Sequence, residues 1–91
     1  MTVQQLEYIV ALEKYGHFSE AAFALNVTQP TLSATISKLE TELDIAIFNR
    51  SRHPIAPTPI GRKIIDQAKL TLTEMKKIPE IAHYEKDAVY G

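Results

Sequence analysis

Residues 17–40 read HFSEAAFALNVTQPTLSATISKLE, and this stretch decides the fold. It divides into two short helical segments around a tight turn at Asn26-Val27-Thr28. In the second segment Leu32, Ile36, Leu39 and Leu43 recur at steps of four, three and four, which puts them on one buried helical face. Thr31, Ala34, Thr35 and Lys38 fall on the opposite face, and none of them is bulky or acidic. A helix that shows solvent a short, hydrogen-bonding, acid-free face suits the major groove of DNA. The pair therefore reads as a helix-turn-helix.

The punctuation on either side agrees. Thr2 and Gln5 form a capping-box pattern ahead of Val3, Leu6, Ile9 and Val10, and Gly16 is placed to close that first helix. Ser19 is the expected cap of the next helix, with Phe18 and Phe23 as a hydrophobic staple across its start. Ala21, Ala22 and Leu25 give that helix a small-residue face that another helix can approach closely. Asn26 ends it. Thr28 caps the third helix, expected over about 29–43, and Pro30 falls in its first turn, where a missing backbone donor costs little.

Beyond Asp44 the period changes. Ile45 to Phe48 is short and β-prone, Arg50 to Pro54 is turn-like, and Ile55-Ala56-Pro57 can return, which predicts a two-stranded wing over about 49–56. Pro54 and Pro57 cannot donate ladder bonds, so the return is at most an edge strand and the wing is expected to be loose. Thr58 then caps a last helix with Pro59 at its first position. Ile64, Ala68, Thr71, Met75, Ile78 and Ala82 repeat along it as a heptad-like seam, flanked by Ile65 and Leu72. Pro79 interrupts the seam and is expected to kink or end the helix, with a frayed tail after it. The expected organisation is a mainly α, winged helix-turn-helix domain over 1–58, a linker helix over 59–85 and a tail over 86–91.

Composition narrows the function. Ninety-one residues at 45% hydrophobic can bury one small core. There is no cysteine, so no disulfide framework or thiolate metal site is available, and the three histidines lack ligand spacing. The apolar runs are too short for a membrane span, and Met1 to Gln5 carries no basic export signal; a cytoplasmic protein is expected. No nucleophile–base pair, carboxylate dyad or glycine-rich phosphate loop points to catalysis, and no cofactor is expected. The net charge of −1 is unusual for a nucleic-acid binder, yet residues 45–65 hold Arg50, Arg52, Arg62 and Lys63 and no acid. A local patch, not the average, decides what a surface attracts.

QLEYIVAL (5–12), FSEAAFALNVTQPTLSATISKLETELD (18–44), IFNR (47–50) and PTPIG (57–61) run in an order that resembles the amino-terminal domain of LysR-type transcriptional regulators. The TQPTLS run at 28–33, followed by Ile36, Leu39, Glu40 and Leu43, is its most specific part. Within the family, EYIVAL with TQPTLSATISKLE looks most like the peroxide-responsive activators. The resemblance implies a winged helix-turn-helix, a dimerising linker helix and, in a longer parent, an effector-binding domain, with a tetramer as a larger assembly of that parent. These residues would then be a fragment, and any cysteine-based peroxide chemistry would lie outside them.

Carried over by position, the resemblance puts Thr28, Gln29, Pro30, Thr31, Ser33, Ala34 and Lys38 against DNA from the third helix, and Arg50, Arg52 and His53 from the wing. Many relatives have arginine at the position of Ala34; arginine can read guanine bidentately, whereas alanine offers only a methyl contact. Each residue also has a plainer reading. Gln29 can be an ordinary first-turn polar residue, Thr28 and Thr35 a cap and a solvated hydroxyl, and Lys38 a partner of Glu42 at i+4. Arg52 and His53 can be a charged turn, and Arg50 can brace the wing against the domain. Ile64, Ile65, Ala68, Leu72, Met75 and Ile78 are the expected homodimer contacts, and their plainer reading is packing on their own domain. Double-stranded DNA and a second copy are thus the expected partners, with no membrane. A protein–protein adaptor is the other class of function open to a winged helix, but it would not need both the acid-free wing and the uncharged helix face.

Overall fold

The computed structural model describes residues 1–90. Helices α1 (Val3–Tyr15), α2 (Phe18–Leu25) and α3 (Gln29–Leu43) precede strands β1 (Phe48–Asn49) and β2 (Ala56–Pro57), and α4 (Pro59–Tyr90) closes the chain. The strands pair antiparallel, Phe48 with Pro57 and Asn49 with Ala56. Among the described residues no helix is long and apolar enough to cross a membrane.

Local chemistry sets the helix ends. The Thr2 hydroxyl accepts from the Gln5 amide while the Gln5 side chain accepts from the Thr2 amide, completing the capping box. Gly16 closes α1 at φ 73°, and Asn26 and Asp44 end α2 and α3 in the same left-handed region. Thr28 caps α3 by accepting from the Thr31 amide at 3.2 Å. The start of α2 departs from expectation: its cap is His17, without a side-chain hydrogen bond, and Ser19 lies inside the first turn. The two-residue shift removes the staple. Phe18 becomes the first helical residue and packs on the core, while Phe23 is 89% exposed.

The core is a cluster of Ile9 and Leu12 from α1, Ala21 and Ala22 from α2, Leu32, Ile36 and Leu39 from α3, Ile47 and Phe48 beside the wing, and Ile65 and Ala68 from α4. The alanine face of α2 lets α1 and α3 close on it, as the sequence suggested. The wing is anchored and not loose. Ile55 is buried, its amide donates to the Gly16 carbonyl at 2.8 Å, and Pro54 sits so close that a Cβ on Gly16 would lie 2.8 Å from the proline's own Cβ. The prolines shorten the ladder, but burial of Ile55 holds the return in place.

Thr58 turns the chain into α4. Its amide and hydroxyl both reach back to carbonyls of 46–47, and the hydroxyl accepts from the Gly61 amide as a helix cap. Residues Ile65 and Ala68 are buried against the core, and Ile64 and Leu72 are partly buried beside them. From there α4 runs on into solvent, giving the molecule extents of 55 × 25 × 20 Å. Pro79 does not end the helix, which continues through the 86–90 stretch expected to fray. A proline removes one ladder bond but leaves the remaining bonds of the helix intact. Gly91 lies outside the described residues.

Candidate nucleic-acid interface

The exposed face of α3 is built by the turn before it. Asn26 reverses the chain, Thr28 caps, and Gln29, Pro30 and Thr31 emerge at the helix start, all exposed. Ala34, Ser37 and Lys38 continue the exposed face, with Ser33 and Thr35 half-buried at its edges. No acid occupies the first turn of α3, so its positive dipole end stays available to an anion. Lys38 is not paired with Glu42, whose carboxylate accepts from the amino-terminal ammonium at 2.6 Å. Thr28 does act as a cap, and its hydroxyl also donates to that of Thr31 at 2.9 Å.

The wing brings Arg52 and His53 to an exposed tip, where Arg52 makes no side-chain hydrogen bond among the described residues. Arg50 lies elsewhere. Its guanidinium donates to Ser33 Oγ at 2.8 Å, to Ser37 Oγ at 3.0 Å and to Glu40 Oε1 at 3.3 Å, and it sits 5.0 Å over the Phe18 ring. The bracing reading of Arg50 therefore describes its geometry in the free protein. Glu40 completes the brace: its other oxygen accepts from the Ile47 and Phe48 amides at 2.7 and 3.3 Å. One carboxylate thus ties the wing's first strand and the wing's arginine to α3. Ser37 did not stand out in the sequence, and Glu40 did so only as part of the family pattern, with no role; the signal available for the brace was an arginine two residues after a buried phenylalanine.

The acid-free stretch is less positive than its composition suggests. Arg50 pairs with Glu40, and Arg62 lies 3.5 Å from Glu13 and 3.9 Å from Asp66. Arg52 and Lys63 remain for solvent or a partner, joined on α3 by Lys38. Lys69 donates to Glu13 at 2.7 Å, and this bond, with the nearby charges of Lys69 and Arg62, holds the Glu13 carboxyl below its ordinary pKa against the opposing effect of burial.

The seam of α4 splits. Ile65 and Ala68, expected at a dimer interface, are 0% and 2% exposed within their own domain, and Ile64 and Leu72 pack at the same boundary. The period marked an apolar face without saying what covers it. Further along, Leu70, Met75, Ile78, Ile81 and Tyr84 are exposed, and Leu72, Met75 and Pro79 border an open apolar groove with Val10, Ala11 and Leu25. Met75 and Ile78 are the expected contacts that remain free to meet a second chain.

A short wing braced onto a helix-turn-helix, followed by a long helix, defines a class, and comparison with known proteins agrees. The family described as "Bacterial regulatory helix-turn-helix protein, lysR family" matches residues 3–62, and the chain belongs to it. It is a family of regulators and not of enzymes. Over all 91 residues the chain is 45% identical to the hydrogen peroxide-inducible genes activator of Haemophilus influenzae and 38% identical to the dual regulator OxyR of Escherichia coli K12. It covers 30% of the length of each. Among solved structures, the DNA-binding domain of BenM in complex with catB site 1 DNA superposes with a TM-score of 0.92 at 30% identity, covering 97% of this chain and 95% of that one. Full-length OxyR C199D from Pseudomonas aeruginosa gives 0.86 at 43% identity, over 92% of this chain and 28% of that one.

Proposed function

We propose that this domain binds double-stranded DNA sequence-specifically, as the reading head of a transcription regulator, with α3 in the major groove and the wing tip on the backbone or minor groove. The observation that carries this reading is the exposed, acid-free first half of α3, rigidly capped and braced to a wing that carries Arg52 and His53. The likeness to the BenM DNA-binding domain solved in complex with catB site 1 DNA supports it. Gln29 is the residue best equipped for a bidentate contact, on an adenine edge, while Thr31, Ser33 and Lys38 reach phosphates and Ala34 offers a methyl contact. A chromosomal target implies the cytoplasm.

The exposed apolar stripe of Met75, Ile78 and Ile81 supports a second part of the proposal: two copies pair through the free half of α4. A two-fold pair presents two identical α3 helices and reads an inverted repeat. The test is selection of bound duplexes from a random pool by the 91-residue chain. Recovery of a common sequence with two-fold symmetry supports both parts, and a common half-site alone supports only the first. A pool that shows no enrichment contradicts the DNA reading and leaves the adaptor class.

A further inference from the structure

We infer that Arg50 is a positioning residue that turns the hydroxyls of α3 into hydrogen-bond donors, so that this face seeks acceptor atoms on DNA; the inference rests on the proposed DNA reading. A guanidinium has only donors, so Ser33 Oγ and Ser37 Oγ must accept from it, at 2.8 and 3.0 Å. Each serine hydrogen is then left for another partner. The usual internal partner of a helical hydroxyl is the carbonyl one turn back, the bond that Thr71 and Thr73 make to Gln67 and Lys69 at 2.9 Å. Ser33 and Ser37 make no such bond. A second arrangement with the same polarity lies one turn earlier: Thr28 donates to Thr31 Oγ1 at 2.9 Å and so leaves the Thr31 hydrogen free.

Glu40 and Phe18 keep the guanidinium in this pose, at 3.3 Å and 5.0 Å respectively. Ser33 and Ser37, one turn apart on one edge of the exposed surface of α3, are thus arranged to donate together, while Thr31 donates from the other edge, on the side that carries Lys38 as a further donor-only group. Their targets are acceptors: phosphate oxygens on the backbone, or N7 of a purine in the major groove. The exocyclic amino groups of adenine and cytosine are donors and are not targets for these hydroxyl hydrogens.

The experiment is a binding titration of the 91-residue chain against its selected duplex. One arm replaces single phosphates by neutral methylphosphonates and the other replaces single purines by their 7-deaza analogues. Ser33→Ala and Ser37→Ala, at positions outside the buried core, are each expected to weaken binding about 2- to 10-fold, the range for one lost hydrogen bond. Each is also expected to abolish the effect of one particular replaced acceptor, and the arm in which this occurs distinguishes phosphate from base. Arg50→Met is expected to blunt sensitivity at those same acceptor positions, and Arg50→Lys, still donor-only, to restore it. Unchanged binding by both serine variants would overturn the inference, as would weakened binding with every acceptor effect intact. Failure of Arg50→Lys to restore what Arg50→Met removes would reduce Arg50 to a structural brace and overturn its positioning role. A wild-type chain that selects no duplex defeats the DNA reading and this inference with it, whereas the other outcomes leave that reading standing.

Discussion

Two residues show how far a single side chain decides this fold and its site. Gly61 lies in the first turn of α4 against the wing strand, and a Cβ there would come within 1.9 Å of the Ile47 carbonyl oxygen, which is backbone and cannot swing aside. Gly61→Ala should therefore force α4 off Ile47 and cost at least about 1–3 kcal/mol, seen as a lowered urea midpoint. A midpoint equal to wild type would mean that the close approach is not needed. At the wing tip, Arg52 is exposed and makes no side-chain hydrogen bond or ion pair among the described residues. Arg52→Ala should leave stability alone, weaken binding to all duplexes alike, and reduce the slope of log affinity against log salt by about 0.9. An unchanged salt slope would remove Arg52 from the backbone contacts.

At the scale of elements, the features legible in the sequence were those written in adjacent residues. The caps at Thr2, Thr28 and Thr58, the closure at Gly16 and most of the buried faces of α1 and α3 follow from local hydrogen bonding and helical period, and the structure has them, although Val3 is exposed and Val10 and Leu43 are only partly buried. What was not legible depends on contacts distant in the chain. Phe18 and Phe23 satisfied the spacing of a staple, but Phe18 is drawn under Arg50 and the helix start shifts by two residues. The firmness of the wing rests on Ile55 meeting Gly16 across 39 residues, which no local pattern encodes. Nor does any pattern show that Glu40 holds the wing amides or that Glu13 docks α4 on α1.

The Glu13 contact has a pH signature. Because Lys69 and Arg62 hold its carboxyl below the ordinary value, its folded form is favoured when ionised. Its contribution is present above the unfolded pKa of about 4.3 and is lost as pH falls from there through the folded pKa. Urea unfolding of wild type and Glu13→Gln should differ at neutral pH and converge on acidification. A gap that stays constant down to pH ~3 would show that the carboxylate's charge is not what docks the helix.

For the whole molecule, the division of α4 determines how two copies can meet. Its first turns are committed to the protomer core through Ile65 and Ala68, so Ile64→Glu would disturb the domain as well as any dimer. Ile78, 68% exposed, tests the pairing alone. Ile78→Glu should place like charges in the apolar stripe and shift sedimentation toward monomer, while the unfolding midpoint of the monomeric domain stays where it was. A wild-type chain that sediments as a monomer at every concentration, and binds half-sites as tightly as whole ones, would contradict pairing. The central claim is that α3 reads base sequence, and the most direct measurement is the ratio of affinities for selected and scrambled duplexes at one salt concentration, for wild type and Gln29→Ala. The account predicts a wild-type ratio of about 10³ or more, and a loss of about 1–3 kcal/mol in the variant confined to the selected duplex, with preference relaxed at one base position. Equal affinity of the wild type for both duplexes, or an equal loss on both in the variant, would contradict it.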